Sequence, residues 1–261
     1  KRQVQDGDAG ERRPVLTERF VLAHGFTQTA RSWAHFESQL SDRLADIDTV
    51  AVDLPGHGDA TAPGDADLWA SADHLVGLGG RATYVGYSMG GRVVLHAALA
   101  HPDDVRALVL IGATAGIDDD AERTARRAAD ERLAERIETI GVEAFVDEWL
   151  ANPLFAGLSA ETALRADRLR NTAVGLAVSL RSTGTGTQEP LWRRLGRITA
   201  PVLVLAGEYD AKFRELGARL AAALPDARFD VVPAAGHTVH LEQPGATADA
   251  IASWFRSTAR R

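Results

Sequence analysis

The sequence predicts an α/β fold: a mostly parallel central sheet flanked by helices, with a helical cap inserted into it. Three observations predict it. Short, wholly apolar runs recur, among them Val21-Leu22-Ala23, Ala107 to Ile111 and Val202 to Leu205, and helix-length segments separate them. Strands buried on both faces read as continuous apolar runs, and parallel strands need long crossovers. The turns His24 to Thr29, Asp53 to Gly58 and Gly86 to Gly90 all follow such runs, at the carboxyl ends where ligands of parallel sheets bind. Between Ile111 and Pro201 the strand pattern stops and helix formers take over.

Taken in order, residues 1 to 13 are polar and read as a mobile segment. Arg19 to Ala23 reads as a buried strand, Ser32 to Leu44 as a helix, and Ile47 to Val52 as a second strand. A polar loop leads to a helix around Trp69 to Leu78, then a β-rich run over Ala82 to Val85 and a helix over Arg92 to Ala100. Ala107 to Ile111, Pro201 to Leu205 and Arg228 to Val232 complete the strands. Asp118 to Leu150 and Ser159 to Leu180 read as helices. The expected division is a core of 14–116 and 191–261 with a cap of 117–190, placed to exclude water from the sheet's active edge.

Composition narrows the function. At 261 residues and 45% hydrophobic, the chain can bury one large core. The net charge of −7 and the scattered basic residues argue against nucleic acid. Without an apolar run of 18 residues, no membrane span is expected. The start, Lys1 to Asp8, has neither an apolar core nor an initiator Met, so no secretory signal is visible and the terminus reads as trimmed or processed. There is no cysteine, which excludes disulfides and thiol chemistry and fits the cytoplasm. With no closely spaced His/Asp/Glu cluster and no phosphate-loop Lys after Thr183-Gly184-Thr185-Gly186-Thr187, neither metal nor cofactor is expected.

Gly86-Tyr87-Ser88-Met89-Gly90 between a strand and a helix is the chemically most informative stretch. Gly-x-Ser-x-Gly in that setting places a serine on a strained turn, where side chains at 86 and 90 would strike the neighbouring strand and helix. The helix beyond aims its N-terminus at the serine, favouring developing negative charge. A serine needs a base and an orienting acid. Asp210 follows the strand ending at Leu205, and His237 follows the last strand, so Ser88, Asp210 and His237 match in order and placement. The oxyanion hole is expected from the backbone N–H groups of Met89 and Phe26. Asp53, His57 and His24 read as structural members of their turns, His240 as packing or as support for the catalytic residues, and His35, His74, His96 and His101 as helix-face residues. Arg92 lies one helical turn past Ser88 in the apolar run Val93-Val94-Leu95. A buried charge needs a partner, so Arg92 either pairs with a core acid or lines a pocket for an anion.

These motifs resemble the α/β-hydrolase superfamily, through His24-Gly25-Phe26, Asp53 to Gly58, Gly86 to Gly90, Asp210 and His237. Further runs resemble one group within it, the 2-succinyl-6-hydroxy-2,4-cyclohexadiene-1-carboxylate synthases (MenH). They are Gly86 to Arg92, Trp149 to Phe155, Ser179 to Gly186, Ala206 to Phe213 and Gly236 to Pro244. The resemblance implies a lyase that expels pyruvate from 2-succinyl-5-enolpyruvyl-6-hydroxy-3-cyclohexene-1-carboxylate, a small substrate with several carboxylates. In that scheme Ser88, activated by His237, removes a ring proton. Arg92, Arg126 and Arg168 bind carboxylates, with Arg127 and Arg170 near enough to exchange roles. Tyr87 and Trp149 line the pocket. Two departures stand out: Gln28, where the group commonly has Gly, is expected to alter the pocket mouth, and Ser182 replaces a frequent glycine. The alternative is a carboxylesterase or carbon–carbon hydrolase using Ser88 as a covalent nucleophile.

Overall fold

A computed structural model describes residues 17–60 and 66–258; the polar segment expected at 1 to 13 lies outside them. Six strands form one sheet: β1 (Glu18–Ala23), β2 (Ile47–Val52), β3 (Ala82–Tyr87), β4 (Val105–Ile111), β5 (Val202–Gly207) and β6 (Ala227–Val232). Their order is β2-β1-β3-β4-β5-β6, and every neighbouring pair is parallel. The helices are α1 (Ala34–Ser41), α2 (Leu68–Gly79), α3 (Met89–Ala100), α4 (Asp120–Leu150), α5 (Arg165–Arg168), α6 (Ala173–Thr183), α7 (Ala211–Ala223), α8 (Val239–Glu242) and α9 (Pro244–Thr258).

The apolar runs predict strands because both faces of the sheet are covered. Along each central strand alternate residues go to opposite layers. Val21, Tyr84, Leu108, Leu110 and Val204 pack with α2, α3 and α7. Phe20, Leu22, Val85, Val109, Leu203 and Leu205 pack with α1, α8 and α9 around Trp33, Phe36, Ile251 and Trp254. Period-2 side chains that are apolar on both faces give the unbroken runs seen in the sequence. The chain reverses direction of travel across the sheet between β1 and β3, so the turns after these two strands flank a switch point.

The sequence expectations hold for the strands to within two residues at either end. They differ in two helical places. The stretch from Ser32 is a 3-10 turn, Ala30–Trp33, before α1, because Thr29 caps it reciprocally with Ser32. The helix expected over 159 to 180 is broken. Ser159 and Thr162 bond each other's backbone N–H groups through their hydroxyls, which competes with helix formation. Leu164 is left-handed (φ 51°), and Thr172 caps a fresh start at α6 through Gly175 N. α4 is itself interrupted at Gly141 (φ 79°). Together α4, α5 and α6 form an insertion between β4 and β5 with its own small core of Ala134, Ile137, Phe145, Leu176 and Leu180. It meets the sheet's carboxyl edge through Phe26, whose ring lies 5.3 Å from that of Trp149.

The tightest packing is at the serine turn. A Cβ on Gly86 would come within 2.5 Å of the Gly90 carbonyl oxygen, and one on Gly90 would overlap the carbonyl oxygen of Ala23 on β1. Gly90→Ala is therefore expected to destabilise the chain by about 3 kcal/mol, a melting-point loss of roughly 6–12 °C. Gly77→Ala, on an exposed stretch of α2 with nothing within 4 Å of a new Cβ, should be neutral or stabilising. Thermal melts of the two variants check the contrast.

Candidate functional site

Ser88 caps α3 with φ 51° and ψ −106°, a conformation that costs a non-glycine residue about 1–3 kcal/mol. The surroundings hold it there: Ser88 N donates to Ile111 O at 2.8 Å, and Arg92 N donates to Ser88 O at 3.2 Å. Asp210 follows β5 and caps α7, accepting from Phe213 N at 3.1 Å through Oδ1. Its other oxygen lies 2.7 Å from Nδ1 of His237. A carboxylate only accepts, so Nδ1 carries the proton, which leaves Nε2 as the accepting nitrogen of the neutral ring. Both residues are buried. Ser88 and His237 line the same cavity of about 200 Å³. The direct hydrogen bond within the trio runs between Asp210 and His237.

The backbone N–H groups of Phe26 and Met89 make no hydrogen bond to another described residue, and both residues line the cavity. The loop bearing Phe26 is braced from below. His24 donates from Nδ1 to Gly25 O at 2.9 Å and accepts Leu54 N at Nε2, 3.0 Å away. Gln28, expected at the pocket mouth, is instead fully buried, because its amide oxygen folds back to accept Gly25 N at 3.1 Å. Asp53 accepts Ala30 N at 2.6 Å and Asp59 N at 2.9 Å, tying two loops together away from the His237–Asp210 pair. His57 is buried beside Phe26.

Of the residues expected to bind substrate, Tyr87, Arg92, Arg126 and Trp149 line the cavity. Arg92 is 7% exposed and makes no ion pair among the described residues; Nη1 donates to Thr183 O at 2.5 Å. Burial lowers its pKa to about 10, Arg126 adds to the effect, and Asp130 opposes it. Of the two alternatives for Arg92, the structure takes the cavity wall over a core salt bridge. Arg126 is held by Asp130 at 2.7 Å (Nε to Oδ1), and Asp130 also accepts Gly186 N at 3.2 Å. Arg168 is placed elsewhere. It is buried outside the cavity lining, donating to Ala163 O at 2.8 Å and to Thr27 Oγ1. Arg127 reaches Gly186 O, and Arg170 pairs with Asp59. Among the described residues there is no His/Asp/Glu group able to hold a metal and no helix long and apolar enough to cross a membrane.

Sequence reasoning missed three charged residues at or around this cavity. Lys212 lines it directly. Asp130, buried on α4, reads in the sequence like any other acid on a charged helix. Glu242 clamps the His237 loop from both sides, accepting Gly236 N at 2.6 Å, Thr238 N at 2.9 Å and Thr238 Oγ1 at 2.6 Å. Two signals were available: Lys212 is one of only two lysines, and Glu242 falls five residues after His237.

The sequence pattern of the alpha/beta hydrolase family matches residues 20–250. The chain belongs to that family. Among curated relatives, a Bacillus subtilis protein provisionally named 2-succinyl-6-hydroxy-2,4-cyclohexadiene-1-carboxylate synthase is 38% identical, over 88% of either chain. The Citrobacter koseri protein named as the same synthase is 34% identical over 90% of this chain and 93% of its own. Among solved structures, MenH from S. aureus superposes with a TM-score of 0.86 at 30% identity, covering 93% of this chain and 95% of that one. A malate-bound thermophilic esterase from Thermogutta terrifontis follows at 0.80 and 27%, covering 92% and 90%. The resemblance to MenH read from the motifs thus extends along nearly the whole chain.

His240 sits between the rings of Trp33 and Tyr87, 4.5 Å from each, with no hydrogen-bond partner for either nitrogen among the described residues. Burial lowers its pKa to about 3, helped by Arg168 and His237. Above the ordinary histidine range the ring is neutral in both folded and unfolded chains and contributes no pH dependence. As pH falls below 6.5 the unfolded chain takes up a proton that the folded one refuses, so stability falls, by about 2 kcal/mol at pH 5 from this residue. His240→Phe is expected to lose less stability than the parent between pH 7 and pH 5. Denaturant titrations at the two pH values measure this.

Proposed function

We propose that the chain is a carbon–oxygen lyase of the MenH type in menaquinone biosynthesis, releasing pyruvate from 2-succinyl-5-enolpyruvyl-6-hydroxy-3-cyclohexene-1-carboxylate. One observation carries the reading above a general serine hydrolase. Arg92, a buried cation without a carboxylate partner among the described residues, lines the cavity one helical turn from Ser88. Removing a charge from water is repaid only by a counter-charge, and here an anionic substrate is the counter-charge the site lacks. The names and coverage of the relatives support the same reading.

In the proposed reaction Asp210 holds His237 in the tautomer whose Nε2 can accept the Ser88 hydroxyl proton. Ser88 Oγ then takes the ring proton next to the succinyl ketone. The electron pair of that C–H bond forms a ring double bond, the existing double bond shifts by one carbon, and the C–O bond to the enolpyruvyl group breaks. The departing group leaves as the enolate. It takes at its methylene carbon the proton removed from the ring, returned by the Ser88–His237 pair, and becomes pyruvate, so the proton count closes without water. The enolate oxygen of the ketone would sit at Phe26 N and Met89 N, donors worth about 3–4 kcal/mol each when aimed at developing charge. No bond from Ser88 to carbon is required.

A second reading, a carboxylesterase with Ser88 as nucleophile, is favoured by the same His237–Asp210 pair and by the likeness to an esterase. The cavity arginines give a neutral ester no advantage. The test compares pyruvate release from the enolpyruvyl substrate with hydrolysis of a short p-nitrophenyl ester. Pyruvate release is expected to dominate; ester turnover without it would sink the lyase reading. Ser88→Ala should lower kcat on the order of 10² to 10⁴-fold, the usual contribution of a positioned proton acceptor. Arg92→Ala should lower kcat/KM roughly 10- to 100-fold while leaving the fold intact, as circular dichroism would show.

A further inference from the structure

Three cations face the cavity: Arg92, Arg126 and Lys212. The first two stand on the wall made by α3 and the insertion, where Thr183 O and Asp130 hold them. Lys212 stands on a different element, in the first turn of α7, two residues past Asp210. Its ammonium lies 6.0 Å from the centre of the Phe213 ring, and that ring lies 4.5 Å from the ring of His237. It is solvent-exposed and makes no ion pair with any described residue.

Local physics does not favour a lysine there. The first turn of a helix is the positive end of its dipole, and a cation at that end is unfavourable by up to ~1 kcal/mol. Within the turn itself α7 carries no acid, and the Asp210 carboxylate that caps the helix is already engaged by Phe213 N and His237 Nδ1. The chain otherwise uses arginine almost exclusively, with lysine at 1 and 212 among 29 basic residues. An ammonium differs from a guanidinium in being a compact, strongly hydrated point charge that binds without a fixed fork geometry. That suits an anion which must be gripped and then released.

We propose that Lys212 is a specificity residue that binds the carboxylate of the departing three-carbon unit, the enolpyruvyl group of the substrate and the pyruvate it becomes. The inference rests on the lyase reading above. The arginines, which stand on α3 and the insertion rather than on α7, are left for the carboxylates that remain on the ring product. Lys212, beside His237 and open to solvent, meets the fragment that leaves.

The experiment follows formation of the conjugated diene by absorbance in the parent chain, Lys212→Met and Lys212→Arg, with inhibition constants for pyruvate and for succinate. Lys212→Met is expected to raise KM and the pyruvate inhibition constant together by roughly tenfold or more, the loss of one charge-assisted contact. Its succinate constant should be unchanged, its melting temperature equal or higher, and Lys212→Arg should recover part of the loss. An unchanged pyruvate constant in Lys212→Met, or an equal loss for succinate, overturns the assignment. A parent chain that forms no diene from the enolpyruvyl substrate overturns the lyase reading itself, and this inference with it.

Discussion

The backbone of α3 approaches β1 and β3 so closely that no side chain fits at two positions of the turn between them. Gly86 faces the carbonyl of Gly90, and Gly90 faces that of Ala23. This approach forces Ser88 into a positive-φ conformation, and the strain is held by main-chain bonds to Ile111 and Arg92. The same geometry leaves Met89 N without a partner among the described residues, on the cavity that Phe26 also lines, because the first N–H groups of a helix have no partner within it. A serine, two donors and a helix N-terminus therefore converge as consequences of one steric constraint.

The rest of the site is supported by residues that do not face the cavity. Asp210 uses one oxygen to start α7 and the other to orient His237, so the helix and the imidazole share an anchor. Glu242 pins the backbone on both sides of His237. His24 and Gln28 brace the loop carrying Phe26. Each contact fixes a loop to something rigid, which is what preorganised donors need if charge is to develop without rearrangement.

The insertion supplies the other half of the cavity and changes its electrostatics. By covering α3 it buries Arg92, and desolvation lowers the pKa of that guanidinium to about 10. Asp130 offsets part of the repulsion between Arg92 and Arg126 from its own buried place on α4. Phe26, Trp149 and Phe155 close the apolar side, ring against ring. In such low-dielectric surroundings an incoming carboxylate meets cations that water screens poorly.

The central sheet was legible in the sequence because strands buried on both faces leave unbroken apolar runs, and the order of Ser88, Asp210 and His237 because each follows a strand. The glycines at 86 and 90 were legible for a steric reason that holds for any turn of that shape. Side-chain direction was not. Arg126, Arg127, Arg168 and Arg170 look alike along the charged insertion, yet only Arg126 reaches the cavity. Arg168 is drawn to Ala163 and Thr27, Arg170 to Asp59, and Arg127 to Gly186. Those partners lie between 5 and 141 residues away. Gln28 was misplaced for a related reason, since a side chain folding back onto its own loop leaves no periodic trace. Local sequence determined the strands, the strained turn and the order of the polar trio. Tertiary packing alone decided which cations face the serine, because that depends on how the insertion lies across the sheet.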